Sequence, residues 1–158
     1  ISLNKRYYMY PPYALGILNT VLKKNNYNSS ITDLNFEVFN YIYNNKSCNS
    51  IELTKKWKSV LEKKLIDHDV DIVGVSCTFT MNHENMIEIF NEVKKFNKSI
   101  ITIAGGVHVS NATEFVLKEG KNIDFAHISL QKEGDPIIKK VRARDIICTK
   151  LFEEEAEK

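Results

Sequence analysis

Apolar positions along the chain switch between two spacings, and the alternation predicts its elements. From Tyr13, "YALGILNTVLKKNNY" gathers Leu15, Leu18, Val21 and Leu22 on one helical face. Pro11 and Pro12 stand before it, where a missing N–H costs little, and Asn25-Asn26 end it. "ISL" at the start reads as the end of a first strand and "NSSITDLN" as a short second one. "FEVFNYIYNNKSCNS" reads as a helix fragment plus loop. Residues 51–66 form an amphipathic helix with Ile51, Leu53, Trp57, Val60, Leu61 and Leu65 on one side. "DIVGVSCTF" (71–79) is a continuous apolar strand of the kind buried on both faces of a parallel sheet. The helix "HENMIEIFNEVKKF", the strand "SIITIAGG", the helix "NATEFVLKEG" closing on Gly120 as its C′ glycine, and the strand "IDFAHIS" follow. "EGDPIIKKV" then opens a helix with Asp135 as N-cap and Pro136 at its first position. This rhythm predicts an α/β fold with a doubly wound, mainly parallel five-stranded sheet, Rossmann-like or flavodoxin-like. The α/β domain spans residues 1–136; residues 137–158 are a C-terminal helical extension or the start of a further region.

Composition narrows the function classes more than it names one. With 158 residues, 43% hydrophobic and 27% charged, the chain can bury a core. A net charge of +2 with scattered lysines gives no basic face for nucleic acid. No apolar run approaches the roughly 20 residues that span a bilayer. No signal-peptide pattern precedes the first strand, and the start at Ile1 suggests a trimmed or incomplete chain. Cys48, Cys77 and Cys148 form neither a disulfide framework nor a metal knuckle, which points to a reduced, cytoplasmic protein. Cys77 lies in an apolar strand and should be buried, whereas Cys48 in "NNKSCNS" should be exposed.

In open parallel sheets, ligands bind beyond the carboxyl ends of the strands. That rule selects the N-terminal loop up to Tyr13, "SCTFTMN", "GGVHVSN" and "QKEGDP". These loops hold no G-x-G-x-x-G, no P-loop and no nucleophile elbow. His68, His83, His108 and His127 lack metal-ligand spacing. What remains are hydroxyls and small residues, Ser76, Thr78 and Thr80 in one loop and Gly105-Gly106 in the next. Such groups hydrogen-bond neutral amides and admit a bulky ligand to the backbone, without bond chemistry of their own.

Four stretches in order carry a family resemblance over roughly residues 1–136. "PPYALGILNTVLKKNNYNSSITDLN" resembles the opening of cobalamin-binding domains attached to radical S-adenosylmethionine enzymes. "DIVGVSCTFTMNHENMIEIFNEVKK" looks like that family's third strand and helix, and "SIITIAGGVHVSNATEFVLKEGKNIDF" is similar to its Gly-Gly-x-His turn, helix and fifth strand. "KEGDP" resembles the Gly-Glu-Gly-Glu segment that closes the domain, with Lys132 at the first glycine. The resemblance implies a flavodoxin-like sheet that receives the corrin at its C-terminal edge. By position, Ser76, Thr78, Phe79 and Thr80 would line the nucleotide tail or corrin edge. Gly105 and Gly106 would let the tail pass close to the backbone, and His108 would border the same pocket. Tyr10, Pro12, Leu15 and Gly16 would shape the loop near the lower corrin face, and Glu133 would contact the cofactor or a neighbouring domain.

The departures qualify what the resemblance implies. The Asp-x-His-x-x-Gly that supplies a histidine to cobalt in mutase-type domains is absent, so a His-off mode is expected. The Cys-x-x-x-Cys-x-x-Cys of a radical enzyme is also absent. S-adenosylmethionine and a 4Fe-4S cluster would therefore belong to a partner radical domain, in the same or another chain. The expected role is cofactor binding with no catalytic residue here.

Plainer readings stand beside these. The three hydroxyls would be an ordinary strand-end loop with a helix N-cap role, and Gly105-Gly106 a turn needing positive φ. His108 has no chemical partner nearby in sequence, His127 reads as a core histidine, and His68 and His83 as solvated helix-end residues. Trp57 reads as core, and the aromatic set Tyr7, Tyr8, Tyr10 and Tyr13 would cover a corrin face, another domain or the sheet equally well. The alternative function is a cofactor-free interaction or regulatory module. A domain for another nucleotide cofactor is disfavoured by the missing phosphate loop, and a phosphoacceptor receiver by the absence of acidic residues in "ISLNKR".

Overall fold

Asn49 and Glu52 begin the longest helix with a reciprocal capping box. The computed structural model describes residues 12–45 and 48–128. It divides into two compact units, Ile1–Asp69 and Val70–Lys158. The expected strand "ISL" and the helix at "EGDPIIKKV" lie outside the described residues.

The first unit is helical where described. Helix α1 (Tyr13–Lys24) ends in a Schellman arrangement: Asn26 takes φ 65°, its N–H donates to Lys23 O, and the Tyr27 N–H reaches back to Leu22 O. Lys23 and Lys24 occupy the last turn, where the helix dipole favours cations. Helix α2 (Leu34–Asn44) starts because Asp33 caps it, accepting the Phe36 N–H at 3.0 Å. The expected strand "NSSITDLN" is therefore absent; its aspartate turns the chain into a helix. Helix α3 (Ser50–His68) extends beyond the expected 51–66 through its capping box and stops at Asp69, φ 47°. Leu61 and Leu65 are buried as the periodicity requires, while Ile51 in the first turn is 65% exposed. Lys56 of α3 lies over the Tyr41 ring of α2 at 5.9 Å from its centroid.

The second unit carries the sheet. Strand β1 (Ile72–Ser76), a 3-10 turn (Thr80–Asn82), α4 (His83–Phe96), β2 (Ile101–Gly105), α5 (Val107–Asn111), α6 (Thr113–Glu119) and β3 (Phe125–Ala126) follow in order. The strands pair in parallel in the order β1-β2-β3, with Val75 opposite Ala104 and Ala104 opposite Ala126. Three of the five expected strands are thus present among the described residues. Right-handed crossovers between strands laid down in one direction put their helices on the same face. The core agrees: Met86 and Phe90 of α4, Val109 of α5 and Val116 of α6 pack with Ala104, Ala126, Cys77 and Ile123. Full burial of side chains such as Phe90 contributes about 1.5–3 kcal/mol each. Burial along β1 alternates, with Val73 and Val75 half-buried and Ile72, Gly74 and Ser76 exposed. The expectation of a strand buried on both faces is corrected: all three crossover helices take one face.

A polar clamp ties β2 to β3. Thr102, fully buried, donates its N–H and hydroxyl to Asp124 Oδ2 and also bonds Asn122 O through its hydroxyl. Lys94 of α4 closes the clamp on the same carboxylate oxygen at 2.6 Å. Burial pushes the Asp124 carboxyl upward, but the Lys94 and Thr102 hydrogen bonds outweigh it and hold the group below its ordinary value.

Candidate functional site

The C-terminal edge of the sheet gathers seven of the expected site residues. Ser76 ends β1, and Cys77, Thr78 and Phe79 lead into the 3-10 turn that holds Thr80. The parallel ladder runs on past the strand ends: Cys77 N–H donates to Gly105 O at 2.7 Å, and His127 N–H to Ala104 O at 2.7 Å. Extending that register sets Ser76, Gly105 and His127 in one row on the face opposite the helices.

The two glycines of "AGGVH" separate in role. Gly106 has φ 100° and ψ 172°, a region open essentially to glycine alone. A Cβ there would stand 2.5 Å from Cys77 O and 2.9 Å from Cys77 N. The turn itself explains Gly106. It brings the chain across the β1 end, where the His108 N–H donates to Cys77 O at 3.1 Å. Gly105 has neither constraint: an added Cβ would meet only His127 Cβ, at an ordinary 3.8 Å. Its missing side chain leaves a dip between Ser76 and His127 that the fold does not demand.

His108 is buried in α5. Its Nδ1 lies 3.2 Å from Thr80 Oγ1 and its Nε2 lies 3.1 Å from His83 Nδ1. Burial, then the neighbouring His83, lowers the His108 pKa from its ordinary value. The sequence expected no partner for His108; the fold supplies two from the turn and helix that follow β1. Nor do the loop hydroxyls cap a helix, since α4 starts from Asn82 without a side-chain cap. Thr80 turns to His108 instead.

His83 was expected in solvent and is buried, its ring 4.9 Å from that of Phe115. The signal was present in the spacing: His83, Met86, Phe90 and Val93 form the buried stripe of α4. His127 moves the other way. Expected in the core, it is exposed, because Ala126 faces the helices and the strand alternates. Exposed Phe79, Met81 and Val107 give this edge an apolar rim, of which the motifs had pointed only to Phe79.

The remaining expected residues fall elsewhere. Pro12 and Gly16 line a shallow hollow of about 550 Å³ along α1, together with Tyr13, Ile17 and Ile31. Leu15 is half-buried on the same helix. Tyr10 and Glu133 lie outside the described residues. Cys48 is half-buried rather than exposed, and His68 is exposed as expected.

Cys77 is buried, burial raises its pKa, and its thiol is spent on Phe79 O. Among the described residues no group of three side chains could hold a metal ion, and no helix is long and apolar enough to cross a membrane. Hydroxyl oxygens, an apolar rim and an open glycine suit a large neutral ligand carrying amide groups.

The family model described as B12 binding domain matches residues 1–138. No curated protein and no solved structure matches the chain.

Proposed function

The chain belongs to the B12-binding domain family, and from that premise we propose that it holds cobalamin at the C-terminal edge of its sheet for a radical S-adenosylmethionine enzyme. The observation that carries the placement is Gly105, whose bare Cα opens a dip beside Ser76 that neither backbone strain nor crowding explains. Ser76, Thr78 and Thr80 would hydrogen-bond the cofactor's amides, and Phe79 would cover apolar corrin surface. Gly106 serves by holding the loop, and Pro12, Leu15 and Gly16 would shape the N-terminal approach. Tyr10 and Glu133 are assigned by the resemblance alone.

A His-off mode follows in this reading from His108. Both of its ring nitrogens are engaged within the chain, by Thr80 and His83, so neither is free to ligate cobalt. When bound, cobalamin would supply a transferable methyl group or tune a radical step. The domain's own work is to bind, orient and shield. S-adenosylmethionine and the 4Fe-4S cluster belong, in this reading, to the radical domain that it serves. The radical-enzyme assignment rests on the ordered stretches "PPYALG", "DIVGVS", "AGGVH" and "KEGDP".

The experiment is incubation with hydroxocobalamin, desalting, and a visible spectrum. The expected result is retained corrin absorbance; a colourless protein favours the cofactor-free interaction module. Reduction to the cob(II)alamin state, read by electron paramagnetic resonance, should show no nitrogen ligand from the protein.

A further inference from the structure

Three groups form a continuous hydrogen-bonded chain from the surface into the core: Thr80 Oγ1, the His108 ring and the His83 ring. Such a chain has a direction. His83 Nδ1 and His108 Nε2 share one hydrogen, so one nitrogen donates and the other accepts. For neutral rings this allows two self-consistent arrangements. In the first, Thr80 donates to His108 Nδ1 and the His108 Nε2–H donates to His83 Nδ1. In the second, every hydrogen is reversed, and the Thr80 hydroxyl is free to donate outward.

The first arrangement places both imidazoles in the Nε2–H tautomer, the more stable form of the neutral ring. The second forces both into the less stable Nδ1–H form. His83 is held where it can act. Its ring packs against Phe115 and crosses the His108 ring at 79°, with centroids 5.2 Å apart.

We propose that His83 is a positioning residue: through His108 it pins the Thr80 hydroxyl as an inward donor, so that the loop after β1 presents an outward acceptor. An acceptor takes an N–H. The ligand group it suits is therefore a side-chain amide of the corrin, and the phosphate of the nucleotide tail is disfavoured. This assignment rests on the cobalamin reading for its ligand, but the tautomers themselves do not.

The test has two arms on the full chain. With ¹⁵N-labelled histidine, long-range proton–nitrogen correlation at neutral pH should show Nε2–H tautomers for both His83 and His108. An Nδ1–H signature for His108 overturns the proposal. His83→Asn keeps a hydrogen-bonding atom near the Nδ1 position and should retain the His108 tautomer, whereas His83→Leu should release it into exchange. The second arm compares hydroxocobalamin with cobinamide, which keeps amide side chains but lacks the phosphate and nucleotide. Thr80→Val and His83→Leu should weaken both probes alike, by about three- to tenfold, with His83→Asn restoring most of the loss. Thr80 is exposed, so its variant stays folded even if the His83 variants do not. Weakening of hydroxocobalamin alone places the phosphate at Thr80 and overturns the proposal. Failure of the wild type to bind either probe overturns the cobalamin reading instead, while the nitrogen spectra decide the hydrogen-bond direction separately.

Discussion

Replacing Gly106 by alanine should damage the fold, and replacing Gly105 by alanine should not. At Gly106 two costs add. Holding a non-glycine residue at φ 100°, ψ 172° costs about 1–3 kcal/mol. A methyl group 2.5 Å from Cys77 O forces the β1 end to shift, a strain of about 1–3 kcal/mol. The sum, roughly 2–6 kcal/mol, is a large part of the stability of a small domain. The shift also pulls on the His108 N–H to Cys77 O bond, which crosses the same point. At Gly105 the new methyl group meets a single carbon at 3.8 Å, and the lost backbone freedom of the unfolded chain offsets small strains by about 0.4–1 kcal/mol. The assay is urea unfolding followed by circular dichroism, comparing midpoints at unchanged slope. Equal midpoints for the two variants would refute the division of labour between turn glycine and floor glycine.

Other parts of the structure make equally definite demands. Thr102→Val removes the buried hydroxyl that bonds Asp124 Oδ2 and Asn122 O and accepts the Asp124 N–H, and it should cost about 1–3 kcal/mol in the same unfolding assay; the Thr102 backbone N–H bond to Asp124 remains. Stability should fall in two acid windows, because both groups have folded pKa values below their unfolded ones. As pH drops below about 6.5, the unfolded chain takes up a proton that buried His108 resists; as it drops below about 3.9, the same holds for Asp124. Unfolding midpoints across pH 3–8 should show both losses, His108→Gln removing the upper one and Asp124→Asn the lower. Cys77, buried and hydrogen-bonded with a raised pKa, should react with a thiol reagent more slowly than half-buried Cys48, as mass spectrometry of timed samples will show.

How much of this was legible in the sequence depends on the range of the interaction responsible. Helix α4 matched its expected bounds because its apolar spacing and flanking residues are local. Asp33 misled for the same reason: a cap and a strand end both use an aspartate after β-branched residues, and only the Phe36 N–H tells them apart. Gly120 was expected to end the helix as its C′ glycine, and α6 does stop before it. It sits at φ −85°, and a Cβ there would crowd the Ile123 side chain and stand 2.9 Å from the Val116 backbone oxygen.

The site was legible in its loops but not in its bonds. Thr80, His83 and His108 span 28 residues between the first and the last, so their contacts exist only once β1 and β2 pair. His83 could have been placed on the core stripe from its spacing to Met86, yet its partner could not. Exposed Met81 and Val107 carried no motif, and their place on the rim is a result of the fold.

The most direct measurement is corrin retained per chain after gel filtration with hydroxocobalamin, for the wild type beside Gly105→Leu. The leucine side chain would fill the dip between Ser76 and His127 without entering the turn at Gly106. The account predicts stoichiometric corrin on the wild type and little on a variant that remains folded by circular dichroism. A wild type that retains none, or a folded variant that retains as much as the wild type, would contradict it.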